Sequence, residues 1–265
     1  MDETQTNHLK AYGIAYWTLQ NDVEVEWLLN YRGGSFMMKH LKPIEEECII
    51  RGVSYEIIAD AKAASILAQI ASPEVNMDAV KLEKAPKIAV YSPKNKQPWD
   101  DAVTLVLTYA EIPYDVIYDE EIIQGKLHLY DWLHMHHEDF TGQYGRFYAA
   151  YKNAPWYREQ VRQSEEMAHR LGFNKVSQLK LAVALKIRDY TAGGGFLFSM
   201  CSGTDSYDIA LAAEGVDICE SMYDGDPADP NMQQKLDFSK TFAFTNFILE
   251  KNPLKYEFSS IDATD

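Results

Sequence analysis

A chain of 265 residues, 46% hydrophobic and without a low-complexity tract, has enough apolar mass for a full core: one large domain, or one domain with an appendage. Forty acidic residues against twenty-five Lys and Arg give a net charge of −15, spread along the chain, which repels polyphosphates and excludes nucleic acid as a partner. The longest apolar runs, such as "VTLVLTYA" and "GGFLFSM", fall far short of the ~20 residues a membrane span needs, so no span is expected.

Cys48, Cys201 and Cys219 are too few and too far apart for a disulfide framework and form no C-x-x-C pair, so at least one thiol is free. The start "MDETQTNHLKAYG" has neither the basic opening nor the apolar core of a signal peptide; as written the chain reads as cytoplasmic, or as exported where a leader has been removed. No cofactor is called for, and the expected partner is a small-molecule substrate or ligand.

In chain order, residues 1–84 read as a small mixed α/β appendage. "AYGIAYWTL" and "DVEVEWLLNY" are predicted strands, "PIEEECIIR" a short helix, "VSYEII" a strand and "DAKAASILAQIA" a helix. "NYRGGSF", Asn30 to Phe36, has the glycines of a hairpin or bend, and with Arg32 it can also hold an anion.

From residue 85 to 265 the pattern becomes a regular alternation. "KIAVYS" is a short apolar strand, "PWDDAVTLVLTYAEI" an amphipathic helix and "PYDVIYD" a second strand. "LHLYDWLHMH" is the third strand, followed by a helical insertion at about 141–175 that includes "PWYREQVRQSEEMAHRLGF". "SQLKLAVALKIRDYTAGGG" predicts a helix N-capped by Ser177, with an apolar face at Leu179, Ala182, Val183, Leu185 and Ile187, feeding into the strand "FLFSM". Helices alternating with strands that look buried on both faces predict a doubly wound, mostly parallel sheet, with its ligand crevice at the strands' carboxyl ends.

That places Cys201 and Ser202 at the crevice. A thiol ahead of a helix N-terminus sits in a field that favours thiolate, and the turn's N–H groups can stabilise an oxyanion, so Met200-Cys201-Ser202-Gly203 has the make-up of a nucleophile elbow. A small buried cysteine beside a close-packing glycine is the bland alternative. "SGTDS", Ser202 to Ser206, resembles the S-G-G-x-D-S loop of ATP-pyrophosphatases but is one residue short and has no basic neighbour, which ranks a phosphate cradle below the elbow. Asp205 and Asp208 read as ordinary first-turn acids.

The second cluster is "DWLHMHHEDFTGQYGRF", where three of the seven histidines fall within four residues. If the strand persists, His134, His136 and Glu138 share one face and His137 and Asp139 the other. The group can supply a base for Cys201 from His136, His137 or Glu138, or hold a polar ligand through Asp139, Thr141, Gln143 and Arg146. A zinc or iron site is a weaker reading than a polar cluster that fixes the loop, so no metal is assigned. Asp100, in "QPWDDA", can meet substrate at the first helix or simply complement its dipole.

The stretches "HLKAYGIAYW", "EWLLNYRGGSF", "VYSPKNKQPWDDAVTLVLTYAEIPYDV", "YDWLHMHHEDFTGQYGRFY" and "GGGFLFSMCSGTDSYDIALAAEGVDI" resemble bacterial proteins, common in Bacteroidetes, labelled "asparagine synthetase B". The element order after Lys87 is similar to the class I glutamine-amidotransferase-like fold. That resemblance implies a Cys201 nucleophile, substrate contacts from Ser202 and Gly203, and "HHEDFTGQ" near a main-chain oxyanion loop. Two departures stand out: Asp2 replaces the exposed N-terminal cysteine of a true synthetase, and no histidine follows His169. The resemblance further implies a longer chain, so this one is expected to be a truncated or processed form, with its late histidine beyond "YEFSSIDATD".

Overall fold

The computed structural model describes residues 4–93 and 102–262, and Asp100 therefore lies outside the described residues. The chain divides into two compact units, residues 1–86 with 101–114, and residues 87–100 with 115–265.

The first unit opens with α1 (His8–Gln20), where a strand was expected. The Asn7 side chain caps the helix by accepting from the Lys10 N–H (3.2 Å), and Ile14, Ala15, Thr18 and Leu19 recur at helical spacing on its buried face. The aromatic and β-branched residues that suggest a strand are thus overridden by a cap and by tertiary packing. β1 (Val25–Leu29) and β2 (Ser35–Met38) form an antiparallel hairpin through "NYRGG", with Asn30 and Arg32 in left-handed conformations. α2 (Lys42–Arg51) and α3 (Asp60–Ile70) follow, and β3 (Asp78–Leu82), outside the elements the sequence signals, pairs antiparallel with β1. "VSYEII" forms no strand; its Tyr55 and Ile57 side chains are exposed and its backbone follows an irregular path. α4 (Ala102–Ala110) packs on α1 so closely that a Cβ at Gly13 would fall 1.8 Å from the Ala110 carbonyl oxygen.

The second unit carries β4 (Ile88–Tyr91), β5 (Tyr114–Ile117), β6 (Trp132–Met135) and β7 (Phe196–Ser199) in a parallel sheet of order β5-β4-β6-β7. Counted within the sheet this is 2-1-3-4, an order compatible with a doubly wound α/β fold whose switch point lies between β4 and β6. β6 is shorter than expected and ends at Met135, so the alternation that would align His134, His136 and Glu138 stops before Glu138. The connections are α5 (Asp119–Ile123), α6 (Tyr148–Tyr151), α7 (Pro155–Arg170) and α8 (Val176–Ala192); α8 starts after Lys175, and Ser177 lies inside it.

One sheet face supplies Ala89, Tyr91, Leu133 and Met135 to a core closed by Leu179, Val183 and Ile187 of α8. Each such side chain contributes about 1.5–3 kcal/mol on burial. α9 (Ser202–Ala212) leaves β7 and is buried on nearly every side; Tyr207 and Leu211 join the sheet core, while Ile209 and Ala212 meet Phe247, Leu249 and Phe258 of the C-terminal segment. β7 departs from the expectation of strands buried on both faces: as an edge strand it leaves Phe196 and Phe198 59% and 44% exposed. Among the described residues no helix is long and apolar enough to cross a membrane.

Candidate functional site at the strand ends

The carboxyl ends of β4, β6 and β7 bring Ser92, His136 and Cys201 to one edge of the sheet. Met200 donates its N–H to the Met135 carbonyl (3.0 Å), the last ladder bond of β7. The backbone then turns at Cys201 with φ 51° and ψ −142°, a combination that is strained for any residue but glycine. Gly203 donates to the His136 carbonyl (2.7 Å), and a Cβ there would lie 2.4 Å from the same oxygen. Glycine is therefore what allows α9 to start against the end of β6.

This turn leaves Cys201 exposed while Cys48 and Cys219 are buried. Ser202 is half-buried beside it, and the Ser206 hydroxyl ties α9 to the following loop by donating to the Glu138 carbonyl (2.9 Å). Among the described residues no side chain hydrogen-bonds the Cys201 sulfur. His134 stacks on Phe198 and is buried with its Nε2 unpartnered; burial, and then proximity to His136, pushes its pKa down to about 4. His136 stacks on His137 with ring centroids 3.6 Å apart and has a buried, unpartnered Nδ1. Its pKa is lowered, first by burial and then by His137. The two upstream imidazoles are thus held neutral.

The remaining loop residues have partners within the fold. The Asp139 carboxylate accepts from the Thr141 N–H and hydroxyl (2.6 Å each) and from the Gly145 N–H (2.9 Å). Gln143 Oε1 accepts from Arg146, whose buried guanidinium also donates to the carbonyls of Glu250, Asn252 and Lys255 at 2.5–3.0 Å. The loop thereby fastens the C-terminal segment. Glu138 is buried and accepts from the Tyr118 hydroxyl (3.3 Å), at the rim of a buried network in which Lys180 pairs with Asp119 (3.0 Å) and donates to the phenols of Tyr91 and Tyr118. Burial drives both phenols well above the usual tyrosine range, so both are neutral donors.

Among the described residues, the group with metal-ligand spacing is Asp217, Cys219 and Asp224, not the histidines. Lys175 ion-pairs with Asp217 (2.9 Å) and Asp224 (3.0 Å), and the Cys219 thiol donates to the Thr141 carbonyl (3.2 Å), so the cluster is satisfied internally.

Asp205 is a residue whose place the sequence did not reveal. It stands one helical turn after Cys201 and is only 5% exposed. Its Oδ1 accepts the adjacent Ser206 N–H (2.8 Å), and among the described residues no cation pairs with it. Burial, reinforced by Asp262 and Asp139, raises its pKa to about 7. The signal was present in "GTDSYDIALA": a helix apolar or small on every face leaves no solvent side for an acid. Asp208 makes the same point, since its buried carboxylate accepts the N–H groups of Phe242, Ala243 and Phe244 at 2.7–2.8 Å. Comparison with family models, with curated proteins and with solved structures yields no match to this chain.

Proposed function

We propose that the second unit is a class I glutamine-amidotransferase-like domain that transfers or hydrolyses an acyl group through Cys201. The observation that carries this reading is the strained, exposed Cys201 at the β7–α9 turn. A non-glycine residue is held at such a backbone angle only where the surrounding fold enforces it, and nucleophile elbows are built this way. The position after the sheet's fourth strand, with a loop after its third, supports the resemblance in topology.

In this reading the Cys201 sulfur, as thiolate, attacks the carbonyl carbon of an amide. The C–S bond forms as the carbonyl π pair moves to oxygen, facing the positive N-terminal end of α9. The C–N bond then breaks, and the leaving nitrogen takes a proton from solvent, or the thiol's own proton where His136 or His137 has first received it from Cys201. Water adds to the thioester, loses a proton to the same group, and expels the thiolate. Ser202 and Gly203 adjoin the thiol in this reading, while Thr141 and Gln143 are buried in hydrogen bonds of their own loop and Glu138 is held by Tyr118.

Because Cys48 and Cys219 are buried, faster labelling of Cys201 alone would reflect only exposure. The decisive quantity is the pH dependence of its alkylation by neutral iodoacetamide, followed by peptide mass spectrometry. An activated nucleophile gives a rate midpoint below the ~8.5 of a free thiol. A midpoint at or above that value refutes the catalytic reading in favour of a catalytically silent domain that binds a small ligand or sugar, an alternative favoured by the absence of any histidine bonded to the sulfur among the described residues.

A further inference from the structure

β7 is the end strand of the parallel sheet, and among the described residues only β6 pairs with it. Phe196 donates its N–H to the Asp131 carbonyl (2.9 Å) and Met200 donates to that of Met135 (3.0 Å), so alternate residues Phe196, Phe198 and Met200 direct their backbone groups at β6. The N–H and C=O of Leu197 and Ser199 therefore point away from the sheet, and among the described residues no backbone group pairs with them. Such an edge is a template for another extended chain unless charge, proline or a bulge blunts it. Here the register with β6 is unbroken, and from Tyr190 to Thr204 the sequence holds neither a charged residue nor a proline.

The side chains select the partner. Phe196, Phe198 and Met200 share one face of the strand, and each is at least 42% exposed although apolar. An antiparallel copy of the same strand, related by a two-fold axis at Phe198, satisfies backbone and side chains in one register. Leu197 then lies opposite Ser199 of the second copy, and Ser199 opposite its Leu197, as hydrogen-bonded pairs that exchange the outward N–H and C=O groups. Between them the two Phe198 residues form a non-hydrogen-bonded pair, with Cα atoms about 4.5 Å apart and their rings in contact. Phe196 comes opposite Met200 of the second copy on the same face. A slip by one residue sets outward groups against inward ones, and a slip by two leaves Phe196 or Met200 without an opposite number. Charge points to the same place: two chains of net charge −15 repel each other, and this edge is a stretch where neither carries charge.

We infer that the β7 edge is a homodimer interface, in which two copies pair β7 antiparallel about a two-fold axis at Phe198 and join their sheets into one. The inference stands apart from the chemistry proposed for Cys201.

Sedimentation velocity of the whole protein from about 1 µM to about 100 µM should show the mass rising from one chain to two. Salt screens the repulsion between the copies, so moving from about 20 mM to about 500 mM NaCl should tighten the dimer. Phe198→Lys, at an exposed position, sets like charges directly opposite each other and removes a ring pair, and should raise the dissociation constant at least about tenfold. The register is read by cross-linking in a Cys201→Ser background: Phe198→Cys should close a disulfide between copies on mild oxidation, and Leu254→Cys, exposed elsewhere in the same unit, should not. A protein that stays monomeric at about 100 µM, a dimer that salt dissociates or that Phe198→Lys leaves intact, or a Phe198→Cys chain that cross-links no faster than the Leu254→Cys chain overturns the inference.

Discussion

Asp205 and His134 are both about 5% exposed and are perturbed in opposite senses, so their contributions to stability oppose each other over one pH range. The carboxyl binds its proton more tightly in the folded state, about 7 against 3.8 unfolded. Its contribution is full below the unfolded value and is lost as pH rises through the folded one. The imidazole binds its proton less tightly when folded, about 4 against 6.5. Its contribution is full above the unfolded value and is lost as pH falls through the folded one. Between about pH 4.5 and about pH 6.5 each slope amounts to about 3 kcal/mol, from roughly two pH units at about 1.4 kcal/mol per unit. In the wild type they nearly cancel.

Replacing one group exposes the other. The stability of Asp205→Asn relative to wild type should improve with pH, by about 3 kcal/mol between about pH 4.5 and about pH 7.5. That of His134→Gln should decline by a similar amount from about pH 4.5 to about pH 6.5. Urea unfolding followed by tryptophan fluorescence at four pH values measures both, and taking differences from wild type removes the titration of every other group. A constant offset between Asp205→Asn and wild type at all pH values would refute the assignment of Asp205 as a buried, uncompensated acid.

Gly203→Ala should gain about 1 kcal/mol of helix propensity but lose about 1–3 kcal/mol to the contact with the His136 carbonyl, so a net drop in the urea midpoint is expected and a stabilised variant would disprove the close approach. Arg146→Ala strips the guanidinium from the carbonyls of Glu250, Asn252 and Lys255 at a cost of about 3 kcal/mol. Limited proteolysis should then cut residues 250–256 several-fold faster, and an unchanged cleavage pattern would show that the clamp is dispensable.

The sheet and the turn from its last strand into α9 were legible because their signals are local. "KIAVYS", "WLHM" and "FLFSM" are short apolar runs bounded by helices and glycines, and Cys201-Ser202-Gly203 follows the last of them directly. α1 was not legible, because "AYGIAYW" satisfies strand propensity and only burial along Ile14, Ala15, Thr18 and Leu19 decides for a helix. The histidine cluster misled by one assumption, that alternation continues past Met135. The strand stops there, and Glu138 turns instead to Tyr118.

Asp205 shows where sequence reading fails for a physical reason. A first-turn acid ordinarily faces water and complements the helix dipole, and only the small and apolar residues of "GTDSYDIALA" around it tell against that placement. Its burial follows from the packing of the whole helix, since Tyr207, Ile209 and Leu211 of α9 are buried as well and leave this turn no solvent face.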